Sequence, residues 1–383
     1  MSRLFTKLWN HRSLISSHTT IGYQGLSMIK RSFARVLVVL LGGVTAATNL
    51  YAKAFNSCPD YATCTYELPG AECADGTPMF LNVTRRPNAT KLYIYLQGGG
   101  ACWDTVSCDC HGDRCYGGTA RNLTRRDPQQ THSGWTDLSV PANPISADYN
   151  VVEVPYCTGD LFMGNRERKL GNPKHPITIK HFGYRNITKA FAAAKKLFPS
   201  PQSIVVMGSS AGGLGAMFNL HQLRKFYDKA PAYVISDAGA PFKIPYVSAE
   251  GVDRLISAWG VEDIIPPDYA VISPGPIDFA GLLRYNAARF PQDRFAFISS
   301  YNDWVMTAFS ILLGAEYGFS TIGRMIRDVA ANDLGVMQKV FYVGGERHTF
   351  HNVPPNDVLS GQINLADWVS KMITGKPDWS NQL

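Results

Sequence analysis

The sequence predicts an α/β fold in which a mainly parallel sheet is covered by helices on both faces. Three observations carry the prediction. Six short runs rich in β-branched and aromatic residues recur along the chain, each long enough for a buried strand and too short for a helix. Helical periodicity falls between several of them, and alternating strands and helices build parallel sheets. No internal repeat, low-complexity tract or Pro/Ser-rich linker interrupts residues 55–383, so a single domain is expected there.

The elements follow in order. Cys58 to Met79 reads as irregular and turn-rich, and Lys91-Leu92-Tyr93-Ile94-Tyr95-Leu96 is the first strand, ending in Gly98-Gly99-Gly100. Residues 104–146 are polar, cysteine-bearing and weakly periodic, which suits a disulfide-stapled excursion over the strand ends. A second strand covers Asn150 to Pro155. Arg185 to Phe198 then forms a helix with Ile187, Ala190, Phe191, Ala194 and Leu197 on its inner face. Ser203 to Met207 is a strand, followed by a helix that carries Leu214, Met217, Phe218, Leu220 and Leu223. The last three strands are Ala232 to Asp237, Arg294 to Ser299 and Val340 to Val343.

Residues 1–54 hold seven Lys or Arg and no acidic residue, so the formal net charge of +7 is that of this leader, and the remaining chain is balanced. A neutral body lacks the basic patch of a nucleic-acid binder. The leader has the parts of an export signal: Lys30, Arg31 and Arg35, an apolar stretch from Val36 to Ala47, and an Ala52-Lys53-Ala54 cleavage site. Met28 directly before the basic cluster is the expected start of translation. The apolar stretch falls short of the roughly 20 residues that span a bilayer, so no stable membrane insertion is expected after cleavage. A secreted or periplasmic protein follows.

All eight cysteines lie between Cys58 and Cys157. An even count behind an export signal implies disulfides, with the connectivity open, although Cys102 and Cys108 would close a tight loop. Cys108-Asp109-Cys110-His111 with Cys115 also admits a metal cluster, but it lacks paired C-x-x-C spacing. Four N-x-T sequons stand at Asn82, Asn88, Asn122 and Asn186.

The chemistry centres on Gly208-Ser209-Ser210-Ala211-Gly212, a G-x-S-x-G pattern that chance supplies in about one chain in five of this composition. Its position between a strand and a helix makes it a nucleophile elbow, a sharp turn that lifts the serine hydroxyl clear of the backbone. A serine hydroxyl needs a base, and three histidines follow. His221 lies about 16 Å down the helix at 1.5 Å per residue, which excludes it. His348, after the last strand and the loop Gly344-Gly345-Glu346-Arg347, is the expected base, with His351 as fallback. Asp303 in Ser300-Tyr301-Asn302-Asp303-Trp304 is the expected orienting acid, because it precedes the histidine strand. Asp237 follows a strand end as well and is the alternative acid, although its expected role is to shape the site by binding backbone amides. An oxyanion hole would combine the amide of Ala211 with amides of the early glycine loop Gly98-Gly99-Gly100-Ala101.

Taken in order, Cys73-Ala-Asp-Gly-Thr-Pro78, Leu96-Gln-Gly-Gly-Gly-Ala-Cys-Trp103, Pro155-Tyr-Cys-Thr-Gly-Asp160, Gly208-Ser-Ser-Ala-Gly-Gly213, Ser236-Asp-Ala-Gly239 and Tyr301-Asn-Asp-Trp304 cover most of the mature chain. This set resembles the pectin acetylesterase/Notum family of serine carboxylesterases. The resemblance implies an α/β-hydrolase-like fold, Ser210, Asp303 and His348 as a triad, Gly99, Gly100 and Ala211 as oxyanion donors, and neither metal nor cofactor. Family members often have a cysteine close to the catalytic histidine; here no cysteine follows Cys157.

An exported serine carboxylic-ester hydrolase is therefore expected, acting on an acylated carbohydrate or other ester and most simply deacetylating a polysaccharide. A deacylase for longer acyl chains and a non-catalytic binding relative are the alternatives. Met306, Phe309, Ile311, Leu312, Leu313, Tyr317 and Phe319 form an apolar run that is expected to be core helix, with part of it available to line an acyl pocket.

Overall fold

A computed structural model describes residues 58–383 except 121–122, 125–133, 138–142, 146–147, 317–319 and 383. The leader, Asn122, Tyr317 and Phe319 lie outside the described residues. The strands are β1 (Thr63–Glu72), β2 (Pro78–Thr84), β3 (Lys91–Leu96), β4 (Cys110–His111), β5 (Arg114–Cys115), β6 (Tyr149–Val154), β7 (Arg166–Asn172), β8 (His175–His181), β9 (Ile204–Ser209), β10 (Ala232–Asp237), β11 (Arg294–Ser300) and β12 (Gln338–Val343), with a short pair β13 (Leu359–Ser360) and β14 (Ile363–Asn364). The helices are α1 (Gly183–Leu197), α2 (Ala211–Phe218), α3 (Leu220–Arg224), α4 (Ala249–Trp259), α5 (Tyr269–Ile272), α6 (Phe279–Arg289), α7 (Trp304–Leu312), α8 (Ser320–Asn332) and α9 (Leu365–Thr374).

Eight strands form one sheet in the order β1-β2-β6-β3-β9-β10-β11-β12. From β6 to β12 every neighbouring pair is parallel, and β2 joins β6 antiparallel. All six predicted strands belong to this parallel part. After β3 the chain steps to one side to make β6, then crosses back to the other side of β3 to make β9 and continues outward. The reversal falls between β3 and β9, and open α/β sheets bind ligands in the crevice beyond the strand ends at such a point.

Strand side chains alternate between faces, and both sets are buried. Tyr93, Tyr95, Val205, Met207, Ile235, Ala296, Ile298 and Phe341 share a core with Trp368, Val369 and Met372 of α9. Their neighbours Ile94, Leu96, Val206, Val234 and Phe297 are buried on the opposite face. Two-sided burial is why these strands read as continuous apolar runs rather than as alternating ones.

The Cys58 to Met79 region differs from the sequence expectation. It contains β1 and the start of β2, paired antiparallel from Thr63 opposite Thr84 through Glu67 opposite Phe80. A shift of register between Glu67 and Glu72 absorbs Pro69 and Gly70, the residues that read as a turn. Since β1 is an edge strand, Pro69 leaves no ladder partner wanting a donor.

All eight cysteines pair: Cys58 with Cys64, Cys73 with Cys157, Cys102 with Cys108 and Cys110 with Cys115. The tight Cys102 to Cys108 loop is among them, and the Cys110 to Cys115 link closes the β4–β5 hairpin of the excursion. Of the described sequons, Asn82 and Asn186 are buried and hydrogen-bonded within the fold, whereas Asn88 is exposed in a turn.

Candidate active site

Ser210 sits between the end of β9 and the start of α2 with φ 54° and ψ −120°, a left-handed conformation that costs energy for any residue with a Cβ. Close backbone approach makes this turn possible. A Cβ on Gly212 would lie 2.0 Å from the Leu96 carbonyl oxygen, and one on Gly98 would lie 3.1 Å from Ser210 Cβ. The glycine run after β3 is therefore packed directly beside the elbow.

Asp303 follows β11 as the N-cap of α7. Its Oδ1 accepts from the amides of Val305 and Met306, both at 3.0 Å. The carboxylate also receives His348 Nδ1–H, at 2.8 Å to Oδ2 and 3.0 Å to Oδ1. Asp303 is fully buried and the His348 ring is 16% exposed. A carboxylate only accepts, so Nδ1 carries the proton and Nε2 is left as a basic lone pair. No hydrogen bond joins the Ser210 hydroxyl to that ring among the described residues; such contacts commonly tighten only when substrate arrives.

The other candidates separate clearly. Asp237, at the end of β10, accepts from the amides of Phe350 at 2.9 and 2.8 Å and His351 at 2.8 Å, so it clasps the loop that carries His348. This is the amide-binding role expected of it. His351 lies 3.7 Å from Asp237, stacks on Tyr95 at 5.9 Å, and does not reach Asp303. Tyr95 in turn shares a 2.6 Å hydrogen bond with Ser209. His221 is enclosed between Tyr184 and Tyr285 and bonded to the Phe218 carbonyl at 2.9 Å, away from the elbow.

A cavity opens at Ser210, with about 330 Å³ of empty space when its mouth is included. Gly100, Ala101, Ser210 and Ala211 line it, and Gly99 is not part of the lining. The walls are apolar: Trp103, Leu161, Leu214, Phe242, Leu255, Met306, Phe309 and Leu313. The apolar run after Asp303 thus divides its work. Met306, Phe309 and Leu313 face the cavity, while Ile311 and Leu312 are exposed. Leu161, Phe242 and Leu255 carried no signal in the sequence, because each comes from a separate segment.

The profile of the pectinacetylesterase family matches residues 61–256, just over half of the 383-residue chain. The chain belongs to the pectinacetylesterase family. That places it among carboxylic ester hydrolases. Human palmitoleoyl-protein carboxylesterase NOTUM is 25% identical over 162 residues, 41% of this chain and 30% of that protein. The palmitoleoyl-protein carboxylesterase NOTUM of Schmidtea mediterranea is 27% identical over 156 residues, 40% of this chain and 28% of that protein. The chain thus spans less than a third of the length of these curated relatives. The solved structure of the Wnt deacylase Notum from Drosophila covers 84% of this chain and 98% of its own, with a TM-score of 0.60 at 18% identity, which establishes the shared fold. No helix among the described residues of this pectinacetylesterase family member is long and apolar enough to cross a membrane.

Proposed function

We propose that this chain is an exported serine carboxylesterase whose acyl-binding cavity takes a hydrocarbon chain longer than acetyl. The observation that carries the reading is the apolar cavity opening directly on Ser210, with the His348–Asp303 pair held by the neighbouring strand ends. An acetyl methyl would cover little of a wall built from eight apolar side chains. Four disulfides and the leader's export pattern support an extracellular or periplasmic setting.

In this reading Ser210 Oγ attacks the acyl carbonyl carbon while His348 Nε2 takes its proton. The tetrahedral oxyanion is met by the amides of Ala211 and of the Gly99-Gly100 loop. Collapse breaks the ester C–O bond, and the alcohol leaves with the proton held on His348. Water, activated by the same ring, then hydrolyses the acyl-enzyme and restores Ser210. The buried Asp303 carboxylate steadies the imidazolium formed in each half-reaction.

Deacetylation of a polysaccharide is the second reading, favoured by the family whose profile the chain matches. A series of p-nitrophenyl esters from acetate to palmitate separates the two. Greatest kcat/KM on an ester longer than acetate, about tenfold above acetate itself, is the expected result. A sharp optimum at acetate would favour the second reading and overturn the first.

A further inference from the structure

Three successive carbonyls that follow the glycine run are each held by a side chain from a different element. Thr119 Oγ1 donates to the Ala101 carbonyl at 2.6 Å, Trp259 Nε1 to that of Cys102 at 2.8 Å, and Arg168 Nη1 to that of Trp103 at 2.8 Å. The amides of the segment are taken too. Cys102 N–H donates to the Gly159 carbonyl and Trp103 N–H to Ser107 Oγ, both at 2.8 Å. The upstream end is fixed by Gln97 N–H on the Val154 carbonyl and by Gly98 against the elbow.

Between these fixed ends stand Gly99 and Gly100, and Gly100 forms an isolated antiparallel bridge with Ala120, next to Thr119. Glycines let amides come close to a developing oxyanion, but they are also the residues with the most conformational freedom to lose. Stabilisation of an oxyanion depends on donors that are already aimed before charge develops. A run of three glycines supplies that only if its ends are held.

We infer that Trp259, Thr119 and Arg168 are positioning residues that hold the glycine run in its oxyanion-binding shape. Trp259 is fully buried, and its indole has one donor, which is spent on the Cys102 carbonyl. It is the last residue of α4, and Leu255 one turn earlier lines the cavity. Residues four apart share a helix face. The same helix face therefore forms part of the acyl wall and braces the glycine run.

The inference rests on the esterase reading of Ser210 with Gly99, Gly100 and Ala211. Its test uses the full chain, the best p-nitrophenyl ester, and a fluorophosphonate that counts reactive serines. Trp259→Phe keeps the ring and removes the donor, and Thr119→Val keeps the shape of a partly exposed side chain and removes the other. Each is expected to lower kcat per labelled site by about tenfold to a hundredfold, short of the ~10²–10³ lost with a whole oxyanion donor, with KM within about threefold of the parent. A merely structural role would lower the number of labelled sites and leave kcat per site alone. Values of kcat per labelled site within about twofold of the parent in both variants would overturn the inference. If Trp259→Phe does not fold, Thr119→Val alone decides it. A parent that neither turns over esters nor is labelled at Ser210 would instead remove the esterase reading itself.

Discussion

Asp303 binds His348 with both carboxylate oxygens while its Oδ1 caps α7 through the amides of Val305 and Met306. One buried group thus fixes the tautomer of the imidazole and the start of the helix that walls the cavity. Asp303→Asn separates the two duties. Asn is as good an N-cap as Asp, so the thermal midpoint should stay within a few degrees of the parent. Its amide cannot hold the Nδ1–H tautomer reliably, and turnover should fall by about 10⁴, the loss for this replacement in a serine-protease triad. Paired kinetics and calorimetry check both parts, and activity within tenfold of the parent would remove Asp303 from the mechanism.

Asp237 makes the complementary prediction. Its carboxylate is fully buried and takes the amides of Phe350 and His351. Asp237→Ala leaves two buried N–H groups unpaired, at a cost of about 3 kcal/mol in urea unfolding. Because those amides belong to the loop carrying His348, kcat should fall with it. Asp237→Asn keeps one acceptor oxygen and should lose roughly half as much stability. Equal stability of the alanine variant and the parent would show that the clasp is energetically idle.

The parallel strands and the elbow were legible because burial on both faces writes a continuous apolar run, and because Ser210 sits between such a run and a helical one. Elimination pointed to His348, whose ring is the one paired with Asp303, while His221 is carried away along the helices after the elbow. The edge strand β1 was not, because Pro69 and Gly70 sit inside it and only the bulge reveals how they are absorbed. The cavity walls were mostly hidden. The run after Asp303 pointed to Met306, Phe309 and Leu313, but Leu161, Phe242 and Leu255 come from three further segments, and nothing in local periodicity records a surface assembled by tertiary contacts.

Phe309 offers a direct test of the cavity. It lines the space from α7 and is only partly buried, so changing it costs less stability than changing a core residue. Phe309→Ala should lengthen the preferred acyl chain, and Phe309→Trp should shorten it. A difference of one methylene in an apolar pocket is worth about 10- to 200-fold in kcat/KM, so an ester series resolves the shift. Identical chain-length profiles in the two variants would place the acyl group elsewhere.

Stability should also depend on pH through two buried histidines. Burial pushes the pKa of His181 and of His221 down to about 4. In the unfolded chain both titrate near 6.5. Between those values the unfolded chain binds more protons at these rings, so their contribution is fully present above pH 6.5 and is lost as pH falls through 4. Asp160 acts in the opposite sense: burial pushes it up to about 6, against the hydrogen bonds it accepts from the Thr158 hydroxyl and the Gly183 and Phe162 amides. Between about pH 4 and 6 it is the folded chain that holds that extra proton, and its contribution declines as pH rises. Two histidines outweigh one carboxyl, so these three groups together make stability climb from pH 4.5 to 6.5. His221→Gln removes one proton from the balance and keeps a donor for the Phe218 carbonyl. Its stability should rise less steeply than the parent's, by about 1.4 kcal/mol per pH unit within the window. Urea unfolding at pH 4.5, 5.5 and 6.5 measures the difference, and parallel curves for variant and parent would exclude His221 as a source of it.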